Sequence, residues 1–191
     1  MDADRIKWNQ RYADEEYQMG LHPSHFLAER IELLKMLCPG RRALDIACGE
    51  GRNSIFLASH DFQVTAVDIS DRGIEKGKRR MKTEGVCVNF SNADLEGYEI
   101  VGEYDLIVNL NFLLRELVPK EIAALSPGGV ILFETILDSP NLPGAHTRRY
   151  LLQPGELHQL FSVEAGTILE YGEFPDNASP VSRIVFQKMI A

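Results

Sequence analysis

Residues 43–53 read ALDIACGEGRN, and in this stretch Gly49 and Gly51 stand two apart behind a short apolar run that contains one acid, Asp45. Glycines at such a turn let the backbone come close to a ligand at the carboxyl edge of a strand. Nineteen residues past Gly49, a second apolar run ends in Asp68, where a carboxylate can accept both hydrogen bonds of a ribose diol. A diphosphate held at such a turn needs a third glycine and a helix N-terminus free of crowding carboxylates. Here Ser54 takes the place of that glycine, Asp45 lies four residues ahead of Gly49, and Glu50 lies inside the turn. The pattern is expected to repel an anionic group and to accept a ligand with an amino group and a cationic centre.

Those residues must be positioned by strands, and the texture of the chain supplies them. From Ala43 onward, short apolar runs alternate with helical patterns, the signature of βαβ units and a parallel sheet. ALDIA, VTAVDI, VCVNF, DLIVNL and VILFETIL are the strand candidates, with crossover helices over 52–60, 71–84 and 117–125. TILEYGEF and VSRIVFQKM are joined by PDNASP, too short for a crossover helix, and are expected to pair antiparallel. Upstream, Ile6, Trp8, Tyr12 and Tyr17 among charges suit a short helix or an ordered arm. HPSHFLAERIELLKMLCPG predicts one amphipathic helix with Ser24 as N-cap and Pro39-Gly40 as its stop. The expected architecture is a single doubly wound α/β domain over 1–191, with 1–40 as a helical arm or cap and 41–191 as the core. Its seven-stranded, mostly parallel sheet ends in an antiparallel hairpin and carries helices on both faces. The Pro- and Gly-rich stretch 138–155 leaves the fifth strand as a long loop of the kind that is more often functional than idle.

Twenty basic against twenty-eight acidic side chains leave a net charge of -8, a field that repels phosphate backbones and anionic lipid. Nucleic acid and membrane are therefore not expected partners. Cys38, Cys48 and Cys87 fit no metal-ligand spacing and read as reduced core thiols. The opening MDADRIKWNQRY has no apolar stretch of the signal-peptide type, so a cytoplasmic location is expected.

S-adenosylmethionine has the features the turn favours: a ribose, a methionine ammonium and a sulfonium in place of phosphates. Beside the glycine turn the chain carries WNxRY (Trp8, Asn9, Arg11, Tyr12), HPSHFL, LDIACGEGRNSIFLA, VTAVDIS, the NADL of 92–95, YDLIVNL and SPGGVILFE. Taken together, these resemble the class I S-adenosylmethionine-dependent methyltransferases, in particular the small enzymes of the tellurite-resistance and thiopurine type. The resemblance implies that Asp45 and the backbone around Gly49 and Gly51 hold the methionine end, and that Asp68 takes the ribose hydroxyls. It implies that Asp94 accepts from the adenine amino group beside Ala93 and Leu95, with Ile69 packed on the ring. Asn109 and Leu110 would line the sulfonium side. Trp8 and Arg11 would close over the cofactor, Arg11 meeting its carboxylate with Arg52 as a rival. The family usually has glycine where this chain has Ala47, which is expected to form the turn with a negative φ. Asp45 also suits a turn cap, Asp94 an N-cap or turn, and Trp8 a core position.

The activity implied is in-line methyl transfer to a small-molecule acceptor, anionic, thiol or metalloid oxyanion, with no dedicated catalytic residue, because alignment of an activated donor supplies most of the acceleration. His22, His25, His146, Arg148 and Arg149 flank the expected acceptor pocket, with Asn111 and Glu134 as further candidates. Arg148 and Arg149 equally suit a solvated surface pair, and each histidine a hydrogen-bonded structural position. A cofactor-binding protein without transfer activity is one alternative. A nicotinamide-dependent oxidoreductase is another: Asp68 alone would suit it, whereas the missing third glycine and Asp45 argue against it.

Overall fold

The computed structural model describes residues 2–144 and 147–190. Five parallel strands run from the arm into the core: β1 (Arg42–Ile46), β2 (Gln63–Asp68), β3 (Val88–Asn92), β4 (Tyr104–Leu110) and β5 (Leu125–Ile136). β6 (Gly166–Phe174) and β7 (Val181–Lys188) complete a seven-stranded sheet of order β3-β2-β1-β4-β5-β7-β6. β7 is antiparallel to both of its neighbours. The chain therefore reverses its winding between β1 and β4, and the crevice outside their carboxyl ends is where open α/β sheets hold ligands.

Alternation along β1 divides the core. Ala43 packs with Leu34, Ile55 and Leu57 on one face. Leu44 and Ile46 pack with Ile107, Phe133, Phe161 and Phe186 on the other. The first face is covered by α2 (His25–Ala28), α3 (Ile31–Leu37), α4 (Arg52–Ser59) and α5 (Asp71–Glu84). The second is covered by α6 (Val118–Ala123) and α7 (Glu156–Ser162). α7 was not expected from the sequence; its seven residues bury only Leu157 and Phe161, four apart, too short a stretch to read as a helix. α5 is the best-terminated helix. Ser70 Oγ accepts from Gly73 N at its start, and Gly85 closes it in the left-handed region.

The single helix expected over 24–38 is two, α2 and α3. Arg30 leaves helical geometry (φ −109°, ψ 1°), and its guanidinium reaches Glu170 on β6 at 2.5 and 2.8 Å and Phe26 O at 3.2 Å. A tertiary ion pair thus interrupts an apolar period that by itself is continuous. Ser24 makes no side-chain cap; its N–H donates to Asn53 Oδ1 instead (2.9 Å). Cys38 and Cys48 are buried as expected, whereas Cys87, just ahead of β3, is exposed like Asn89, the burial alternating with that of Val88 and Phe90. The arm starts as α1 (Asp2–Arg11) and packs on α5. Among the described residues, no helix is long and apolar enough to cross a membrane.

Candidate active site

The turn after β1 runs through left-handed backbone at Ala47 (φ 52°), Gly49 (φ 56°) and Gly51 (φ 78°). The negative φ expected for Ala47 is thus corrected, and an L-residue with a Cβ costs about 1–2 kcal/mol in that region. Glycine is required at 49 for space as well, since a Cβ there would stand 2.7 Å from Tyr12 Oη. Cys48 N donates to Val67 O (3.0 Å), tying the turn to the end of β2, and Gly51 N is already used by Cys48 O (2.9 Å). Asp68 fixes the turn from the neighbouring strand: its Oδ2 accepts from Gly49 N (2.7 Å) and its Oδ1 from Ser70 N (2.8 Å). Burial pushes this carboxyl up, and those backbone N–H groups pull it back down.

The three turn acids do not act alike. Asp45 is buried on the α4 side, accepts from Ser54 Oγ at 2.5 Å, and is pushed by burial up to about 7. Glu50 is ion-paired at 2.5 Å with Lys76 of α5, both side chains being 3% exposed. The expected negative lining of the turn is therefore reduced: of the three acids Glu50 and Asp68 line the cavity, and Glu50 is paired with Lys76. Ser54, standing where a third glycine would be, is committed to Asp45.

A cavity of about 400 Å³ lies against this turn. On its β1–β3 side it is lined by Trp8, Arg11, Ala47, Gly49, Arg52, Asp68, Ile69, Asp94 and Leu95, as the sequence suggested. Trp8 stacks on Tyr12 (5.7 Å between centroids) with the Arg11 guanidinium 5.4 Å from its ring. Arg52 donates to Met19 O (3.0 Å), which binds the arm to α4. Asp94 Oδ1 accepts from Glu96 N (3.0 Å), a local turn bond of the kind the residue type also suits.

On the β4–β5 side the lining is Leu110 and Asn111 with Phe112, Leu113, Leu114, Thr135, Ile136 and Tyr150. Asn111 adopts φ 63° and donates its N–H to Glu134 O (2.8 Å), a conformation Asn tolerates better than most residues. Arg149 also lines the cavity and is ion-paired with Glu96 across its mouth. The strap that carries it is anchored by Arg115, which donates to Arg149 O (2.7 Å), Leu151 O (2.8 Å) and the Glu156 carboxylate (2.5 and 2.9 Å).

Several sequence candidates lie elsewhere. Asp45 and Gly51 sit behind the turn, outside the lining. Asn109 is buried on the opposite face of β4 and donates to Glu121 Oε1 of α6 (2.8 Å), because alternation sends it away from Leu110. His22, His25 and Arg148 are exposed and are not part of the lining; His25 faces Glu29 at 3.2 Å. Glu134 turns to Arg183 (3.2 Å). His146 lies outside the described residues. Sequence reasoning gave no site role to Tyr12, Glu96, Phe112, Thr135, Ile136 or Tyr150. The signal available for Phe112 and Ile136 was their place at the ligand edge: Ile136 ends β5, and Phe112 lies two residues past the end of β4.

The chain is 26% identical over 152 residues to a ubiquinone biosynthesis O-methyltransferase of Bordetella avium, covering 68% of this chain and 63% of that protein. It is 26% identical over 150 residues to the probable S-adenosyl-L-methionine-dependent methyltransferase TehB of Haemophilus influenzae, covering 75% of this chain and 51% of that one. The chain thus spans less than two thirds of the length of these curated relatives. The crystal structure of Haemophilus influenzae TehB superposes with a TM-score of 0.72 at 18% identity, over 96% of this chain and 66% of that one. Magnesium protoporphyrin IX methyltransferase from Synechocystis PCC 6803 with bound SAH gives 0.72 at 16% identity, over 98% and 99%; at such identities the likeness is one of fold. Residues 6–175 match the family described as tellurite resistance protein TehB, and the chain belongs to that family.

Proposed function

We propose that this protein binds S-adenosylmethionine against the Gly49 turn and transfers its methyl group to a small-molecule acceptor by in-line displacement. The observation that carries the reading is Asp68. It lines the cavity while both of its oxygens hold the turn, so the acid that shapes the site also presents its remaining lone pairs to a ribose diol. The other residues fit the same ligand. Ile69 and Leu95 offer apolar surface to a base, Asp94 an acceptor for its amino group, and Arg11 and Arg52 cations for a carboxylate. A dinucleotide fits less well, since Gly51 N is used within the turn and Ser54 Oγ by Asp45 of β1. S-adenosylhomocysteine and NADH, added separately, test this by melting shift, because a ligand that binds only the folded state stabilises it by mass action. A shift with S-adenosylhomocysteine alone is expected; a shift with NADH alone would overturn the reading.

The bound cofactor supplies an already activated methyl group on a cationic sulfur. What the chain contributes is alignment and exclusion of water: α1 with Trp8 and Tyr12 covers one side, and the 148–150 strap with Tyr150 covers the other. Holding two reactants at near-attack distance can lower a barrier by about 7–11 kcal/mol. The β4–β5 side offers Leu110, Phe112, Leu114 and Ile136, and its cation, Arg149, is already paired with Glu96. The acceptor proposed is accordingly a small molecule whose accepting atom attacks without a general base, a thiol or a metalloid oxyanion. The oxyanion, unlike the thiol, would have to draw Arg149 from Glu96.

A further inference from the structure

Lys76 lies on α5 behind the glycine turn, 3% exposed and outside the cavity lining. Its ammonium stands 2.5 Å from Glu50 Oε1 and donates to Asp14 O (2.9 Å) and Glu16 O (2.6 Å). The Tyr17 ring lies 4.9 Å from the charge, and the Tyr17 hydroxyl donates to Lys76 O (3.4 Å). A buried ammonium is costly unless each of its three donors is met. Here two donors are met by arm carbonyls and the charge is met by the Glu50 ion pair, so the partners lie on two segments far apart in sequence: the turn that floors the cavity and the arm that roofs it. Met19 adds a second link between the same two segments, its N–H at 3.5 Å from Glu50 Oε2 and its O bonded by Arg52 at 3.0 Å.

We propose that Lys76 is a positioning residue for cofactor binding: one buried ammonium docks the arm on the turn, so the roof and the floor of the cavity are set together by a group that touches no ligand. The proposal rests on the cavity taking S-adenosylmethionine. A residue that merely filled space in α5 would not need a charge, and a residue that merely held the turn would not need the two arm carbonyls.

The test uses the full chain, S-adenosylhomocysteine titrated by calorimetry, and hydrogen exchange at the amides of residues 12–20. Lys76→Met is expected to weaken S-adenosylhomocysteine at least tenfold and to speed exchange over 12–20, and the ligand no longer slows that exchange as it does in the parent. Lys76→Arg, which keeps a cation, restores most of both. The proposal is overturned if exchange speeds while affinity stays within twofold, or if exchange over 12–20 does not change. Should the parent not bind S-adenosylhomocysteine, the cofactor reading fails by itself, and exchange in unliganded Lys76→Met still decides whether Lys76 docks the arm. Should Lys76→Met not fold, with Glu50 left buried and unpaired, Lys76→Met/Glu50→Gln is compared with Glu50→Gln alone. The tenfold loss is then read from that difference.

Discussion

Where β1, β2 and β3 end, the cavity wall is polar and cross-linked. Asp68 bonds two backbone amides, Glu50 and Lys76 form a buried pair, and Arg52 and Met19 join arm to helix. Where β4 and β5 end, the wall is mostly apolar, with Leu110, Phe112, Leu114 and Ile136, and one exposed ion pair, Arg149 with Glu96, crosses to the other side. A ligand held by directional bonds needs groups fixed in advance, because each polar group left unmatched is expensive. An apolar wall can take several small molecules of similar shape at little cost. On the proposed function, the first wall would hold the cofactor and the second would set acceptor choice.

The largest effect should come from cutting the polar wall at its centre. Asp68→Ala removes the anchor of Gly49 N and Ser70 N together with the proposed ribose contact. S-adenosylhomocysteine affinity should fall by about 1.5–3 kcal/mol, the range for hydrogen bonds to charged groups, as read by calorimetry. Undiminished affinity would erase the distinction between the two walls.

Behind the apolar wall, the Asn109–Glu121 pair gives a second test. Burial pushes the Glu121 carboxyl up to about 8, and Asn109 Oδ1 and Glu121 Oε2 both lack a partner among the described residues; a retained proton gives Glu121 a donor to offer. The folded protein then holds this proton up to about pH 8, whereas the unfolded chain releases it near 4.5. Stability should fall as pH rises between those values, by up to about 1.4 kcal/mol per pH unit for one group. Asp45, raised to about 7, adds to the slope below that pH. Glu121→Gln carries its own donor and should remove the Glu121 share in urea titrations at pH 5, 6.5 and 8; a slope identical to the parent's would mean that Glu121 is ionised in the fold.

A smaller change should sharpen the turn itself. Ala47→Gly relieves left-handed strain, offset in part by glycine's greater freedom when unfolded, and should raise stability by about 0.5–1 kcal/mol in thermal melts. A loss of stability would mean that the Ala47 methyl contributes more by packing than its backbone costs.

The smallest effect is expected at the bridge between the walls. Arg149→Ala breaks an exposed ion pair of the kind worth about 0–1 kcal/mol, so melting should barely move, while 0.5 M salt should narrow any difference in acceptor turnover between parent and variant. A large loss of stability would show that the strap is held at Arg149 rather than at Arg115.

The strands, the turn and the ligand edge were legible because buried parallel strands are apolar on both faces and glycine is written into the turn. Asp68 followed from ending β2, and Leu95 from the NADL that carries the family resemblance. Asn109 did not: a strand end gives two faces, and the residue beside Leu110 points to α6. His22, His25 and Arg148 were attractive by type and nearness in sequence to the pocket, yet solvent takes them. Glu50 and Asp45 were read as free charges because their partners, Lys76 and Ser54, are set by packing of α5 and α4 and not by spacing. The split between α2 and α3 was equally hidden, since it depends on Glu170 of β6.

By itself, then, the amino-acid order determined an acid-edged glycine bend in a parallel sheet, since backbone freedom and hydrophobic period are local properties. Only the tertiary structure decided which of those acids line the cavity and which are partnered behind it, and which side chains form the opposite wall. Charge pairing and the facing of strand ends depend on segments tens of residues apart being brought within a few ångströms.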